Sequence, residues 1–347
     1  MTRTMARRAS RIATAAAATL TLVAAIASTA GATAPGRNGE LAFRRYFDTQ
    51  QSWGAVFTAR ADGTGARQIT HPARGVVDDQ PDWAPNGSLI SFTRCDPNDN
   101  GRCHVWVVAP DGTGLAPVGP LCEGGSDVTT CADEANASFS PDSRQIAFTQ
   151  ATGQVKPDPK VGDIIEHSAL TIMNVDGSGR KVVYQGAPFS ADLNYPVFSP
   201  DGKQLVFERQ TSGFSKPAGK RAVYVVGVDG SGLRRLTPWA ENDGDNPDWS
   251  PNGRWIVFHS HVDDPSAQSQ FFLMHPDGSG RKQITRFAPG THVASASFSP
   301  DGSSIAFSQG PEGGNIDVFT MRLDGSHERR MTRSTLWDSA PDWGPLS

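Results

Sequence analysis

A short phrase that recurs along the chain constrains its fold more than any other sequence feature. An aromatic residue is followed by Ser or Ala, Pro, Asp or Asn, a short turn, and then Ile-x-Phe or Leu-x-Phe. The central prolines are Pro85, Pro141, Pro200, Pro251, Pro300 and, in a last partial copy, Pro345. Proline presets φ for the second position of a tight turn, which Asp, Asn and Gly then complete. The phrase therefore predicts a hairpin, with one strand ending at the aromatic residue and another beginning at the alternating apolar residues.

A second phrase, a short apolar strand followed by Asp-Gly, alternates with the first. Its Asp-Gly pairs begin at Asp62, Asp111, Asp176, Asp229, Asp277 and Asp324. The glycines after these aspartates supply the positive φ angles that a tight hairpin turn needs. One copy of each phrase predicts four short antiparallel strands whose apolar faces must pack against further copies.

The number of copies predicts an all-β fold, a six-bladed β-propeller. Five pairs of phrases are complete, while residues 38–43 match the second half of the first phrase and residues 340–345 match its first half. We expect these halves to form a sixth blade, so that N-terminal strands pair with a C-terminal strand and close the ring. The 36 glycines and 25 prolines suit the many turns of such a fold and argue against a bundle of long helices.

The first 32 residues have the features of a secretory signal peptide. Four arginines precede an apolar stretch at residues 12–27, and A-x-A-type cleavage sites end at Ala30 or Ala32. The stretch is shorter than the roughly 20 residues that a membrane span needs. We therefore expect a signal peptide at 1–32, a propeller at 33–347, and a protein that is secreted, periplasmic or otherwise part of the cell envelope.

The two phrases resemble the TolB-type, WD40-like β-propeller repeat over about residues 38–345. The resemblance implies a six-bladed propeller and, for periplasmic TolB proteins, interaction with Pal and the Tol system. We do not expect the N-terminal α/β domain of TolB, because few residues separate the predicted leader from the first repeat. The repeat is also similar to the propellers of prolyl-oligopeptidase-type peptidases, but the sequence lacks the G-x-S-x-G pentapeptide of their hydrolase domain.

Four cysteines predict two disulfides if the protein is exported. Cys95 and Cys103 flank a polar segment between two apolar strands, so a bond between them would join the arms of a hairpin. Cys122 and Cys131 flank a polar loop that a second bond would close. An oxidising compartment favours this state, and the spacings lack the C-x-x-C pair of a typical zinc site.

Acidic residues precede most of the predicted innermost strands. They are Asp79, Glu134, Asp192, Asp243, Asp245 and Asp338, and the fifth complete unit has His292 in their place. In a propeller these positions surround the mouth of the central channel, where a ring of carboxylates could bind a cation or a basic peptide segment. The alternative is that they cap the turns before the strands, and both roles are compatible.

Histidines and one acidic loop are the candidate metal ligands. His259 and His261 form an H-x-H pair that places both rings on one face of a strand, with His292 entering the neighbouring blade. Some pectin-degrading lyases resemble this repeat family and hold a metal with histidines; the alternative is a pair of solvated loop histidines. The segment from Asp96 resembles the start of a calcium loop, but Val107 stands where such a loop needs glutamate.

Two functions follow from these features. The first is a non-enzymatic, monomeric scaffold that binds a protein or peptide in the cell envelope or outside the cell, with no cofactor and no catalytic residues. The alternative is a metal-assisted polysaccharide lyase or hydrolase of the pectin type that uses His259, His261 and His292. Without the leader the net charge is about −8, which excludes nucleic-acid binding through a basic surface.

Overall fold

The computed structural model describes residues 36–99, 101–121, 132–158, 162–212, 215, 219–239, 243–260 and 269–346. The predicted signal peptide, Cys122, Cys131 and His261 lie outside these ranges, as does the side chain of Asp243. The elements described are all β-strands. No helix in this part of the chain is long and apolar enough to cross a membrane.

The recurring Ser-Pro-Asp-Gly phrase forms a tight turn held by its own side chains. In the third complete copy, Ser199 N donates to Gln204 O at 2.8 Å, and Gln204 N donates to Ser199 Oγ at 2.9 Å. The Ser199 hydroxyl in turn donates to Asp201 Oδ1 at 2.6 Å. Gly202 has a φ of 68°, which favours glycine. The residue types of the phrase are therefore those that its turn requires.

In the described part of the chain, 24 strands form six groups of four, and each group repeats the same order. The first strands are β4 (Val77–Trp83), β8 (Asp133–Phe139), β12 (Ala191–Phe198), β16 (Asp243–Trp249), β20 (Thr291–Phe298) and β24 (Asp338–Pro345). The second strands are β5 (Ile90–Asp96), β9 (Gln145–Asp158), β13 (Gln204–Thr211), β17 (Ile256–Ser260), β21 (Ser304–Pro311) and, beside β24, β1 (Asn38–Tyr46).

The outer half of each group follows the same order. The third strands are β6 (Arg102–Val108), β10 (Gly162–Asn174), β14 (Arg221–Gly227), β18 (Gln270–Met274), β22 (Asp317–Arg322) and β2 (Gly54–Ala59). The fourth strands are β7 (Ala116–Pro117), β11 (Lys181–Gln185), β15 (Arg234–Arg235), β19 (Lys282–Gln283), β23 (Arg329–Arg330) and β3 (Arg67–Gln68). All but one of the fourth strands have only two residues.

Four of the groups are separate antiparallel sheets, and the other two are joined. The group β24-β1-β2-β3 and the group β4–β7 share one eight-stranded sheet, linked by a single parallel bridge between Gly54 and Val77. Within the first of these, β1 pairs antiparallel with β24, so that Leu41 lies opposite Trp343. One group is therefore built from both ends of the described chain.

Six apolar clusters lie between successive groups. Each contains the phenylalanine of an Ile-x-Phe or Leu-x-Phe motif, and these side chains are fully buried: Phe43, Phe92, Phe148, Phe207, Phe258 and Phe307. Burying one such side chain contributes about 1.5–3 kcal/mol. Each first strand contacts the first strand of the next group, and β24 contacts β4. Successive sheets therefore pack face to face, and their first strands lie next to one another.

The hairpin of β9 and β10 is much longer than the others. Its strands have 14 and 13 residues, and Val155 in its outer part is 59% exposed. Lys156 from this part lies 3.7 Å from the ring centre of Phe189, in the connection to the next group. Phe189 N also donates to Glu166 O at 2.9 Å. The hairpin thus leans towards the start of β12.

Candidate functional site

Residues from all six first strands line one cavity of about 110 Å³, which we call the mouth cavity. Each strand contributes three consecutive residues, namely 80–82, 136–138, 195–197, 246–248, 295–297 and 340–342. A second cavity adjoins it, and the two share one residue from each strand. These six residues, which we call the waist, are Asp82, Ser138, Val197, Asp248, Ser297 and Asp342.

In each first strand, the earliest residue that lines the mouth cavity has a left-handed backbone conformation. The φ angle lies between 46° and 57° at Gln80, Asn136, Tyr195, Asn246, Ser295 and Ala340. The pairing with the second strand shifts its register at the same point, as between Asp79 and Asp82 on β4. A residue other than Gly or Asn pays about 1–2 kcal/mol for this conformation, and a bulge redirects side chains. The strain is thus concentrated where the strands meet the cavity.

The three aspartates of the waist connect neighbouring first strands. Asp82 accepts a hydrogen bond from Phe139 N at 2.8 Å, and Asp248 accepts one from Phe298 N at 2.7 Å. Asp342 on β24 accepts one from Trp83 N at 2.7 Å, which connects β24 to β4. The waist carboxylates therefore have structural partners.

Burial changes the protonation of these aspartates. It raises the pKa of Asp248 to about 7, with Asp342 adding to the effect. Burial and the neighbouring Asp342 carboxylate raise the pKa of Asp82 well above its ordinary value, and burial also raises that of Asp342. Desolvation disfavours the charged form of a carboxyl group. The waist aspartates are consequently more easily protonated than exposed aspartates.

Four of the carboxylates predicted at the mouth form ion pairs with arginines from other strands or turns. The pairs are Asp79 with Arg44, Glu134 with Arg180, Asp245 with Arg221 and Asp338 with Arg45. In the last pair two parallel bonds of 2.6 and 2.7 Å join the guanidinium to the buried carboxylate. These four carboxylates, which lie next to the residues that line the cavity or further along the same strands, are therefore compensated charges rather than a bare ring of carboxylates.

The other predicted mouth residues lie apart from this set. Asp192, near the start of β12, lies beside Asp158 of the long hairpin; burial, with that carboxylate adding to it, raises the pKa of Asp192 to about 6. The backbone of Asp243 pairs with Ser260 at the start of β16. His292 is exposed near the start of β20. Apart from Asp243, whose side chain lies outside the described part, all of the predicted mouth residues are absent from the lining of the mouth cavity.

Glu208 on β13 and Asp245 on β16 form a second, closer cluster. Arg221 of β14 donates from Nη1 to Asp245 Oδ2, and its Nε lies 3.6 Å from Glu208 Oε1. Burial, followed by the Asp245 carboxylate, raises the pKa of Glu208 well above its ordinary value. His259 Nε2 lies 3.7 Å from Asp245 Oδ2 and 3.3 Å from Asn246 Nδ2. The cluster thus joins two carboxylates, a guanidinium and an imidazole.

Tyr195 connects this cluster with β4. Gln80 Nε2 lies 3.4 Å from the Tyr195 hydroxyl, so side chains from β4 and β12 meet although β8 stands between these strands. Burial raises the pKa of Tyr195, and the carboxylates of Asp245 and Glu208 add to this effect. Tyr195 is therefore a neutral hydroxyl beside two acidic groups.

A comparison with known proteins identifies the architecture. The model of the TolB beta propeller domain matches residues 136–347. The chain belongs to the TolB β-propeller family. The predicted all-β, TolB-like fold is thereby confirmed.

Solved structures and a curated relative agree with this family. TolB from Acinetobacter baumannii has a TM-score of 0.67 at 16% identity, covering 89% of this chain and 67% of that one. An oligogalacturonate lyase in complex with manganese has a TM-score of 0.54 at 15% identity, covering 81% and 71%. Both show a shared fold alone. The uncharacterized protein Atu1656 of Agrobacterium fabrum is 28% identical over 208 residues, 53% of this chain and 62% of that protein, so the match spans less than two thirds of the relative.

The TolB-type fold of this chain does not gather the predicted metal ligands in its described part. His259 is buried on β17, His292 is exposed on β20, and His261 lies outside the described residues. No group of three or more His, Cys, Asp or Glu side chains among the described residues could hold a metal ion.

The cysteine-flanked hairpin of this TolB-type fold contains one of the two predicted disulfides. Cys95 and Cys103 are bonded across β5 and β6. Beside them, Asp96 Oδ1 accepts hydrogen bonds from the amide and side chain of Asn98 at 2.8 and 3.0 Å. This aspartate therefore closes the turn of the segment that resembles a calcium loop.

Tyr195 and Glu208 were not predicted as site residues, because the sequence prediction rested on acidic residues that precede the key aromatic of each repeat. The repeats contain a usable signal. The residue after the second-strand phenylalanine is Thr93, Thr149 or Ser308 in three groups and Arg44, Glu208 or His259 in the others. Arginine, glutamate or histidine at a position that is otherwise threonine or serine would have indicated these second-strand residues as candidate site residues.

Proposed function

We propose that the chain is an exported, non-enzymatic TolB-like β-propeller that binds a peptide segment of another protein at its mouth cavity. One observation carries this proposal: polar residues from all six first strands, together with Tyr195, line one cavity. A cavity of about 110 Å³ has room for a few water molecules or one side chain. An extended segment lying across the mouth and inserting one side chain suits this size.

We further propose that the six strand groups are six blades of a closed ring. Three observations support this arrangement: β1 pairs with β24, each first strand contacts the next, and Asp342 accepts a hydrogen bond from Trp83. Six similar blades would place equivalent residues of all six first strands around one axis. The cavity and the waist have this sixfold composition.

Export to the periplasm, the cell envelope or the cell exterior is part of the same proposal. The predicted signal peptide and the Cys95–Cys103 disulfide support it, because disulfides persist in oxidising compartments. A monomeric binding module outside the cytoplasm would meet protein partners there.

A peptide-display selection tests the binding proposal. Selected peptides are labelled, and their affinities are measured by fluorescence polarisation for the wild type, Gln80→Ala, Tyr195→Ala and the control Lys203→Ala. Lys203 is exposed in a turn between β12 and β13, away from the mouth cavity. We expect at least tenfold weaker binding to the two mouth variants and unchanged binding to the control.

Two results would count against the proposal. Failure to enrich any peptide would refute peptide binding, and a peptide whose affinity is unchanged in both mouth variants would refute the mouth as the site. Elemental analysis of the purified protein addresses the alternative lyase. One equivalent of a transition metal per chain, lost in His259→Ala, would favour the enzyme over the scaffold.

A further inference from the structure

Two of the three waist aspartates use both of their carboxyl oxygens within the fold. Asp248 Oδ1 accepts a hydrogen bond from Trp249 N at 2.7 Å, in addition to the bond that its Oδ2 atom accepts from β20. Asp342 Oδ1 accepts one from the Ser297 hydroxyl at 2.5 Å, in addition to the bond that its Oδ2 atom accepts from β4. Every oxygen of these two carboxyl groups therefore has a partner within the chain.

Asp82 is the exception among the waist aspartates. Its Oδ2 atom accepts the hydrogen bond from Phe139 N, while its Oδ1 atom has no hydrogen-bond partner among the described residues. The residue is only partly buried, and it lines both the mouth cavity and the adjoining cavity. A polar atom without a partner, on a residue in the wall of a cavity, is available to a ligand.

The protonation of Asp82 makes this oxygen a hydrogen-bond donor. The titratable groups that face Asp82 are Asp342 on β24 and Asp248 on β16. Burial, followed by the Asp342 carboxylate, raises the pKa of Asp82 well above its ordinary value, and Asp248 adds to this effect. A carboxyl group that is kept neutral by its surroundings can donate a hydrogen bond. Because Oδ2 already accepts from a backbone amide, the proton belongs on Oδ1.

Apart from the waist, the polar side chains that line the mouth cavity are uncharged. The carboxamide of Asn136 makes no hydrogen bond with the described residues. Gln80 uses Nε2 for the Tyr195 hydroxyl, which leaves its Oε1 atom without a partner in the described part of the chain. The cavity wall thus presents donors and acceptors, but no arginine or lysine and no exposed carboxylate beyond the waist.

We propose that the mouth cavity is a subsite for a neutral carboxamide, such as the side chain of glutamine or asparagine. The ligand carbonyl would accept a hydrogen bond from Asp82 Oδ1, and the ligand NH2 group would donate to the carboxamide oxygens of Gln80 and Asn136. A carboxamide supplies both an acceptor and two donors, whereas burying a charged group without a counter-ion is costly. This inference rests on the proposed peptide-binding function and names the side chain that the site recognises.

Three small probes that differ only in the side chain test the subsite. The Nα-acetyl methylamides of glutamine, norleucine and lysine are titrated into the purified protein, and their dissociation constants are measured by saturation-transfer difference NMR at pH 5.5. We expect the wild type to bind the glutamine probe at least fivefold more tightly than either of the others. Asn136→Gly removes one carboxamide and suits the left-handed backbone at this position, so its preference should fall below twofold.

The pH dependence of binding tests the role of Asp82. The donor is lost when Asp82 loses its proton, so the affinity of the wild type for the glutamine probe should fall at least threefold between pH 5.5 and pH 9. Asp82→Asn keeps an acceptor for Phe139 N and offers an amide N–H at every pH, so its affinity should change less than twofold. Asp111→Asn, the same change in an exposed turn, should behave like the wild type.

Failure of the subsite and failure of the proposed function give different results. Equal or undetectable binding of the three probes, tighter binding of the lysine probe, or a preference that Asn136→Gly leaves unchanged would overturn the subsite. An affinity of the wild type that does not fall with rising pH would overturn Asp82 as the donor. If display-selected peptides then still lose affinity in Gln80→Ala, the proposed function survives without the subsite. If the glutamine probe is preferred but no peptide is enriched, the subsite stands and its ligand is a small amide.

Discussion

Individual carboxyl groups in this protein have opposite relations to pH, according to where they lie. Asp248 is at the waist, where burial raises its pKa to about 7. Asp111 lies in an exposed Asp-Gly turn, where hydrogen bonds from the hydroxyl and amide of Thr113 lower its pKa. The same residue type therefore stabilises the fold at opposite ends of the pH range.

Replacing Asp248 by Asn should stabilise the protein at alkaline pH. The pKa of Asp248 is higher in the folded state than in the unfolded state, so its contribution is complete below about pH 4 and is lost as pH rises through 7. Asn retains an acceptor for Phe298 N and removes the charge. Since Asp248 keeps partial exposure at the cavity, we expect a gain of about 1–2 kcal/mol at pH 8 relative to pH 5, rather than the about 4 kcal/mol of a full three-unit shift. Urea denaturation at both pH values measures it.

Asp111→Asn is the control with the opposite sign. Because the pKa of Asp111 is lowered in the folded state, its contribution is present above the unfolded pKa and lost as pH falls through the folded one. This variant should be less stable than the wild type at pH 7 and equal to it at the lowest pH tested. A stabilising effect that is the same for Asp248→Asn at pH 5 and pH 8 would show that the waist aspartate does not titrate in this range.

Position along the repeat led to the prediction of acids at the channel mouth, but it did not predict their ion-pair partners. Asp79, Glu134, Asp245 and Asp338 were all identified from their distance to the key aromatic. Their arginine partners come from second strands, third strands and a turn, at distances along the chain that vary from pair to pair. Only the packing of neighbouring sheets determines which arginine reaches which carboxylate.

Among the elements, the second strands contribute more to the packing between sheets than the fourth strands do. Each places one fully buried phenylalanine between its own sheet and a neighbouring one, as Phe148 of β9 does in the cluster with Phe139 and Val105. The fourth strands contribute far less, since most have two residues, and Val182 of β11 is 47% exposed. Substitutions in a second strand should therefore lower the free energy of unfolding more than substitutions in a fourth strand.

Phe148→Ala and Val182→Ala test this gradient within one sheet. The first change removes a buried ring and leaves a cavity, which costs about 3–5 kcal/mol; the second removes exposed methyl groups and should cost below about 0.5 kcal/mol. Chemical denaturation followed by tryptophan fluorescence measures both. Similar losses in the two variants would contradict the assignment of the core to the second strands.

The recurring phrases predicted the strands and turns well because each turn depends on local residues such as Pro200 and Gly202. They did not predict the length of the β9–β10 hairpin. Its outer part contains Pro157 and lacks the phrase residues, so the local pattern is that of a loop. There β9 and β10 remain paired along the outer part of the hairpin. This pairing has no counterpart in the repeated phrases.

At the scale of the whole molecule, the pairing of β1 with β24 should control cooperativity. Deleting residues 337–347 removes β24, which contacts β1, β4 and β20 and whose Asp342 accepts from Trp83. We expect the truncated protein to lose its single cooperative thermal transition, measured by circular dichroism and calorimetry.

A synthetic peptide of residues 337–347 provides the matched control. Added in excess to the truncated protein, it should restore the transition, because the deleted strand supplies its pairing to β1 without needing a covalent connection. A truncated protein that melts like the full chain would refute the closed ring, since the groups at the two ends would then be stable without each other.

The contact between β1 and β24 also has a consequence for the order of events during synthesis. The hydrogen bond from Trp343 Nε1 to Gly39 O joins residues that are 304 positions apart. Such a contact has a large loop-closure entropy and forms slowly. The strand that completes this sheet is synthesised about 300 residues after β1, so during synthesis β1 remains unpaired along one edge until β24 has emerged.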